Sequence, residues 1–334
     1  MSYTVGGTIE AADYNGFVNT GANNINKVWS TGTGDSGWGQ TAINTVAVGG
    51  TVTATQWATL VANLATAGQQ TNSTLTSRTQ PVAGNVISIL ANVATDINTV
   101  TLNRGNAPAS GTEYGTFTGT TSKTTATGSG TAAWTITFTH TVTFADANAI
   151  RYFFNAGGLI RLQYGKSSTG TDTDPDWNTF AGQCGSIFFS GRVNGAAQTI
   201  AGQSYTGTTR LSGTGGTQTT LATTTGYYNL TPGGAATTIF QLNNATSPYS
   251  GEYIRTTVAV NAGTTVLTFV TTWVSDGSSG PGTNASISGG TAVSSPATSI
   301  GAATAPTTLL TYRPPATTYL TNTWGTPSIA ASVA

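Results

Sequence analysis

From Trp134 to Phe144 the chain alternates between threonine and a bulkier side chain: Trp134-Thr135-Ile136-Thr137-Phe138-Thr139, then His140, then Thr141-Val142-Thr143-Phe144. An extended strand sends successive side chains to opposite faces, so this run offers one face to a core and presents hydroxyls on the other. A strand of this kind needs neighbours, because its backbone N–H and C=O groups must be paired. The runs Ser186 to Phe189, Gly226 to Leu230, Thr238 to Leu242, Tyr253 to Val260 and Thr265 to Val274 read as those neighbours. Asn261-Ala262-Gly263 reads as a hairpin turn. Ile150 to Phe154 and Leu159 to Tyr164, split by Asn155-Ala156-Gly157-Gly158, read as a second hairpin. Many short strands joined by Gly-rich turns predict a mainly antiparallel, β-sandwich-like domain over residues 108–276.

The first 107 residues carry a different period. Val5-Gly6-Gly7-Thr8-Ile9-Glu10-Ala11-Ala12-Asp13-Tyr14 aligns with Val48-Gly49-Gly50-Thr51-Val52-Thr53-Ala54-Thr55-Gln56-Trp57, and the repeat runs over 5–18 and 48–61. Thr53 and Gln56 have capping-box spacing, and Ile9 and Val52 sit where hydrophobic staples precede a helix. Trp57, Leu60, Val61 and Leu64 then form a stripe at helical spacing, as do Tyr14, Phe17, Val18, Ile25 and Val28. Val86, Ile89, Leu90, Val93, Ile97 and Val100 predict a third helix, from about Val86 to Leu102. The expected fold class is therefore α+β: a small N-terminal helical domain, the β domain, and a Gly/Ser/Pro-rich extended arm over 277–334 with an aromatic tail.

Composition limits the function classes. Charged residues make up 7% of the chain, against roughly 25% in ordinary soluble proteins. Threonine fills roughly a fifth and glycine contributes 43 residues, with a formal net charge of zero. Eleven Lys and Arg with no basic run argue against nucleic-acid binding. The sequence has no long apolar stretch of membrane-spanning length and opens on no signal-peptide pattern, so synthesis in a cytoplasm and no membrane partner are expected. A chain with so little repulsion between copies is suited to being locked into an assembly.

Few residues suggest chemistry. Cys184 and His140 are the only residues of their types, which excludes a disulfide framework and multi-histidine metal sites. Gly32-Thr33-Gly34-Asp35-Ser36-Gly37-Trp38-Gly39-Gln40 lacks the Lys-Ser/Thr of a phosphate loop and reads as a compact turn anchored by Trp38. Glu113, Asp146, Asp172, Asp174, Asp176 and Glu252 could in principle supply a glycosidase pair, but no spacing selects two of them. Asp172, Asp174 and Asp176 form a weak calcium candidate in what reads as a surface turn. No catalytic residue and no cofactor is expected. Tyr14, Phe17, Trp38, Trp57 and Leu60, with Tyr312, Tyr319 and Trp324 in the tail, are the candidate interface or attachment residues. Trp177, Tyr227 and Tyr228 are candidates for stacking on sugar rings.

The N-terminal block, the segments Gly34-Asp35-Ser36-Gly37-Trp38-Gly39-Gln40 and Thr53-Ala54-Thr55-Gln56-Trp57, and the stretch from Ile150 to Arg161 together resemble virion structural proteins of bacteriophages that infect cyanobacteria and other aquatic bacteria. The resemblance covers most of residues 1–165. It implies a structural component of a phage virion: a tail, neck or fibre protein. With the low charge, the expected assembly is a homo-oligomer of cyclic symmetry that contacts other virion proteins through its N-terminal helices. The alternatives are a host-glycan-binding receptor module of a tail fibre and a capsid decoration protein. The resemblance supplies no catalytic residues.

Overall fold

The computed structural model describes residues 10–82, 92–106, 121–122, 134–166, 173–191, 198–200, 203–245, 250–275 and 306–334. The N-terminal helices are α1 (Ala11–Asn15, continued by a π turn, Gly16–Thr20), α2 (Asn26–Trp29), α3 (Ala54–Gln70) and α4 (Val93–Asn103). Next come β1 (Thr121–Ser122), β2 (Trp134–Thr143), α5 (Ala147–Asn155), β3 (Leu159–Gly165), α6 (Thr173–Cys184) and β4 (Ser186–Phe189). The chain continues through β5 (Gln198–Ile200), β6 (Gln203–Tyr205), β7 (Thr208–Leu211), β8 (Thr217–Leu221) and β9 (Thr237–Asn243). It ends with β10 (Tyr253–Val260), β11 (Val266–Ser275), β12 (Thr307–Arg313) and β13 (Ser328–Val333).

Two antiparallel sheets form a sandwich-like core, in a mixed α+β chain. One has the order β1-β12-β3-β4-β7 and the other β13-β2-β11-β10-β9-β8. Their inner faces meet through Phe189 against Phe269 and Tyr164 against Phe240, with ring centroids 5.4 and 5.9 Å apart. The alternation in β2 does what its pattern predicts: Ile136, Phe138, His140 and Val142 are buried. The turn at Asn261-Ala262-Gly263 joins β10 to β11 in register, from Val260 opposite Leu267 to Tyr253 opposite Val274.

The repeat gives helices that start at equivalent positions. Thr53 caps α3: its hydroxyl accepts from the Gln56 N–H at 3.3 Å, and the Gln56 side chain accepts from the Thr53 N–H at 2.8 Å. In α1 the Asp13 carboxylate accepts from the Glu10 N–H at 3.0 Å. The two copies then pack on each other through equivalent residues, with Tyr14 edge-on to Trp57 at 5.3 Å. The third helix is described from Val93 to Asn103; residues Val86 to Ala91 of the expected helix lie outside the described residues.

Four expectations need correction. Ile150 to Phe154 is helical, not the first strand of a hairpin. The Asp146 carboxylate caps α5 by accepting from the N–H groups of Asn148 and Ala149, both at 2.8 Å. Ile150, Phe153 and Phe154 then fall on one buried face. The glycines that suggested a hairpin end this helix: Gly158 N–H donates to Phe153 C=O and Gly157 takes φ +108°. Tyr227–Asn229 is a 3₁₀ turn, not a strand, closed by Gly226 N–H donating to the Asn229 side chain.

The other two corrections concern larger units. The helices up to Asn103 share one continuous core with the sandwich, running from Ala11 to Trp324. Trp38 Nε1 donates to Asn155 C=O at 3.1 Å, and Gln70 Nε2 to Ala156 C=O at 3.2 Å, so the helical part is docked on the end of α5. Residues 306–334 are no extended arm. Strand β12 lies inside the first sheet, between β1 and β3, and β13 flanks β2 in the second. Helices α5 and α6 close opposite ends of the sandwich, α5 with Phe153 against Tyr312 and α6 with Trp177 stacked on Trp273.

Candidate assembly surface

The outer face of the six-stranded sheet is built by the same alternation that fills the core. Outward positions in β2 are Thr135, Thr137, Thr139, Thr141 and Thr143. Opposite them in β11 stand Val274, Thr272, Val270, Thr268 and Val266. In β10 the outward residues are Tyr253, Arg255, Thr257 and Ala259. Apart from Arg255, whose guanidinium lies over the Tyr253 ring at 5.5 Å, this three-strand area holds no charge. Burying threonine and valine against another surface removes no ion from water, so the desolvation penalty of such a face is small.

Among the described residues the edge of that sheet is equally open to pairing. Strand β13, Ser328-Ile329-Ala330-Ala331-Ser332-Val333, pairs with β2 on one side, and no other described strand pairs with it. It has neither proline nor charge, the devices that usually keep an edge from pairing. Ala334 exchanges both backbone hydrogen bonds with Thr137, at 2.9 and 3.0 Å. Antiparallel alternation then directs the N–H and C=O of Ser332, Ala330 and Ser328 to β2, and those of Ile329, Ala331 and Val333 to the open edge. The opposite edge of the same sheet is β8, where Thr217, Gln218 and Thr219 are exposed.

The residues expected at interfaces lie elsewhere. Tyr14, Phe17, Trp38, Trp57, Leu60, Tyr312 and Trp324 are buried within the chain, and Tyr319 is half-buried. Large aromatics in a chain poor in aliphatic residues are drawn into its own core, which withdraws these residues as surface anchors. Trp177 and Tyr227 are buried as well, so neither presents a ring to a sugar. Tyr228 is half-buried, and its hydroxyl is engaged with Gly34 C=O and the Asn155 side chain.

The acidic candidates separate in the same way. Glu113 and Asp172 lie outside the described residues, and nothing is described of the Asp174 side chain. Asp176 belongs to helix α6, not to a surface turn. Among the described residues no group of three or more His, Cys, Asp or Glu side chains could hold a metal. Instead the fold brings Asp176 to Glu252, a pairing that the sequence did not single out. Asn244 Nδ2 donates to Asp176 Oδ2 and, at 3.2 Å, to Glu252 Oε2, and the Ser275 hydroxyl donates to Glu252 Oε1 at 3.3 Å. The four residues join α6 to the ends of β9, β10 and β11.

Glu252 is buried, and loss of water pushes its carboxyl up to about 8. Asp176 is raised too, by burial, and hydrogen bonds from Asn244 and Glu252 pull it back. The proton of the pair therefore resides on Glu252, which donates to the Asp176 carboxylate. The pair thus acts as a latch between helix and sheet. His140 is fully buried on the inner face of β2; burial holds it neutral, down to about 4, against a backbone contact with Thr308 that raises it. Burial likewise pushes the Cys184 thiol up and keeps it unreactive.

Among the described residues no helix is long and apolar enough to cross a membrane. Compared with known protein families, curated proteins and solved structures, the chain matches none of them.

Proposed function

We propose that this chain is a non-catalytic structural component of a bacteriophage virion, a tail, neck or fibre protein that assembles as a cyclic homo-oligomer. The observation that carries the assembly reading is the open β13 edge beside an uncharged Thr/Val face. The open edges β13 and β8 belong to one sheet, so β13 of one copy can pair with β8 of the next, head to tail, and such contacts close into rings. The phage context rests on the resemblance of the N-terminal segments and of Ile150 to Arg161. In this reading the helical N-terminal region contacts other virion proteins. Its groove lined by Ala11, Asn15, Val48 and Gly49 leaves Val48 fully exposed.

Ala331→Pro tests the assembly. It removes an edge-facing N–H and leaves the bonds from β13 to β2 intact. In light scattering on the purified full chain, the native protein is expected as an oligomer at micromolar concentration and the variant as a folded monomer. A monodisperse native monomer, or an oligomer indifferent to Ala331→Pro, overturns edge pairing. Antibody labelling of intact particles then tells a tail or neck position from the capsid surface.

A further inference from the structure

Edge pairing leaves the broad outer face of the six-stranded sheet unused. Among the described residues no helix or strand packs on the outer side of β13, β2, β11 and β10, and the outward residues described there are exposed or half-buried. The ladder sets these residues in rows. Ser332 stands beside Thr139, Thr139 beside Val270 and Val270 beside Thr257. The next row holds Ala330, Thr141, Thr268 and Ala259. Every second outward position of β11 is a valine, so a column of methyls runs along the β2 threonines.

We propose that this face docks on the same face of a second copy, sheet against sheet, about a two-fold axis running between β2 and β11. Two features select a second copy. The first is where the charge lies. Arg255 is the one charge among the outward residues of these four strands, and it stands to one side, on β10. The two-fold exchanges the flanks, so Arg255 of one copy meets the serine and alanine positions of β13 in the other, not a second Arg255. The same operation sets the valine column of each β11 against the β2 threonines of the other copy. Methyl then meets methyl, and no ion leaves water at the centre. The second feature is area. Four strands about 4.8 Å apart, each contributing about eight residues at about 3.4 Å, give a flat footprint of roughly 520 Å². A standard stable interface takes about 800 Å² from each partner, so this contact makes a weak dimer, separated at micromolar concentration and formed on the order of 100 μM. Copies held side by side in a particle meet at far higher effective concentration. The contact is distinct from edge pairing and does not depend on it.

The test is analytical ultracentrifugation of the full chain carrying Ala331→Pro, which blocks the edge and isolates the face. Over about 5 to 500 μM the weight-average mass is expected to climb from monomer toward dimer. Adding Thr139→Glu or Thr268→Glu sets a carboxylate against the methyls of the other copy, once from each side. Either is expected to weaken the dimer by about tenfold or more, with the fold checked by thermal melting. Ala94→Glu, exposed on α4, adds the same charge away from the face and is expected to leave the dimer unchanged. The proposal is overturned if the mass stays that of a monomer throughout, or if neither face variant shifts the equilibrium. It is also overturned if Ala94→Glu weakens the dimer as much, which would mean general repulsion between copies. If Ala331→Pro fails to dissociate the native oligomer, edge pairing falls by itself and the face is judged on the native chain. It then stands if Thr139→Glu or Thr268→Glu lowers the mass of the oligomer, and falls if neither does.

Discussion

Glu252→Gln isolates the buried carboxyl pair. In the folded chain Glu252 keeps its proton up to about pH 8, whereas an unfolded glutamate releases it near 4.5. Between those values the folded state holds the extra proton, so stability falls as pH rises. At about 1.36 kcal/mol per unit, the whole window amounts to about 5 kcal/mol at most. His140 works in the opposite sense. Its folded value near 4 lies below the ordinary 6.5, so the unfolded state holds the extra proton in that window and stability falls as pH drops. From pH 4.5 to 6.5 the two slopes cancel, and stability should be nearly flat. From 6.5 to 8 only Glu252 acts, and the native protein should lose about 2 kcal/mol. Glutamine keeps the shape and can still donate to Asp176 but does not titrate, so Glu252→Gln should be flat from 6.5 to 8. It should also expose the His140 slope below 6.5. Urea midpoints at pH 5, 6.5 and 8 for both proteins read this directly. A variant that loses stability between pH 6.5 and 8 as steeply as the native chain would refute the assignment of the proton to Glu252.

Other substitutions probe other joints. His140→Gln should abolish the compensation below pH 6.5, so that urea midpoints fall steadily from pH 5 to 8. Trp57→Ala removes the fully buried ring at the junction of the repeat copies and should cost about 3–5 kcal/mol, seen as a large drop in melting temperature. Asp146→Ala should cost about 1 kcal/mol through loss of the α5 cap, and a thermal melt within error of the native curve would contradict the capping geometry.

Periodicity made some elements legible and hid others. The α3 cap and stripe, the β2 alternation, the β10–β11 hairpin and the Trp38 turn were readable because each is a local pattern with one solvent side. Strand β12 is buried at all seven positions, so Thr307-Thr308-Leu309-Leu310-Thr311-Tyr312-Arg313 carries no alternation to read. Its place in the first sheet depends on pairing with β3, whose partners lie roughly 150 residues earlier. Ile150 to Phe154 misled because aromatic and β-branched residues favour strands, while the Asp146 cap and the one-sided spacing of Ile150, Phe153 and Phe154 decide for helix. Tyr312 and Trp324 suggested docking on a partner because a linker-like stretch precedes them; the surface on which they dock is their own chain. The Asp176–Glu252 pair was not legible, since it is made by elements that meet only in the folded sandwich.

Threonine has two separate uses in this fold, and together they bear on why the chain needs so little charge. Inside, Thr256 and Thr271 hydrogen-bond at 2.9 Å, Tyr164 meets Thr256 at 2.8 Å, and Trp273 Nε1 donates to the Thr308 hydroxyl at 3.1 Å. These hydroxyls let large aromatics with polar tips be buried without stranding a donor, which a valine of the same shape could not do. Outside, the same residue, set by the same period of two, covers β2 with groups that water solvates but that add no repulsion between copies. A charged exterior would keep such sheets apart; a neutral threonine face beside the open β13 edge does not. The alternation that closes the sandwich thus also prepares its outer face for contact, and Ala331→Pro separates the two by blocking the edge while leaving the interior intact.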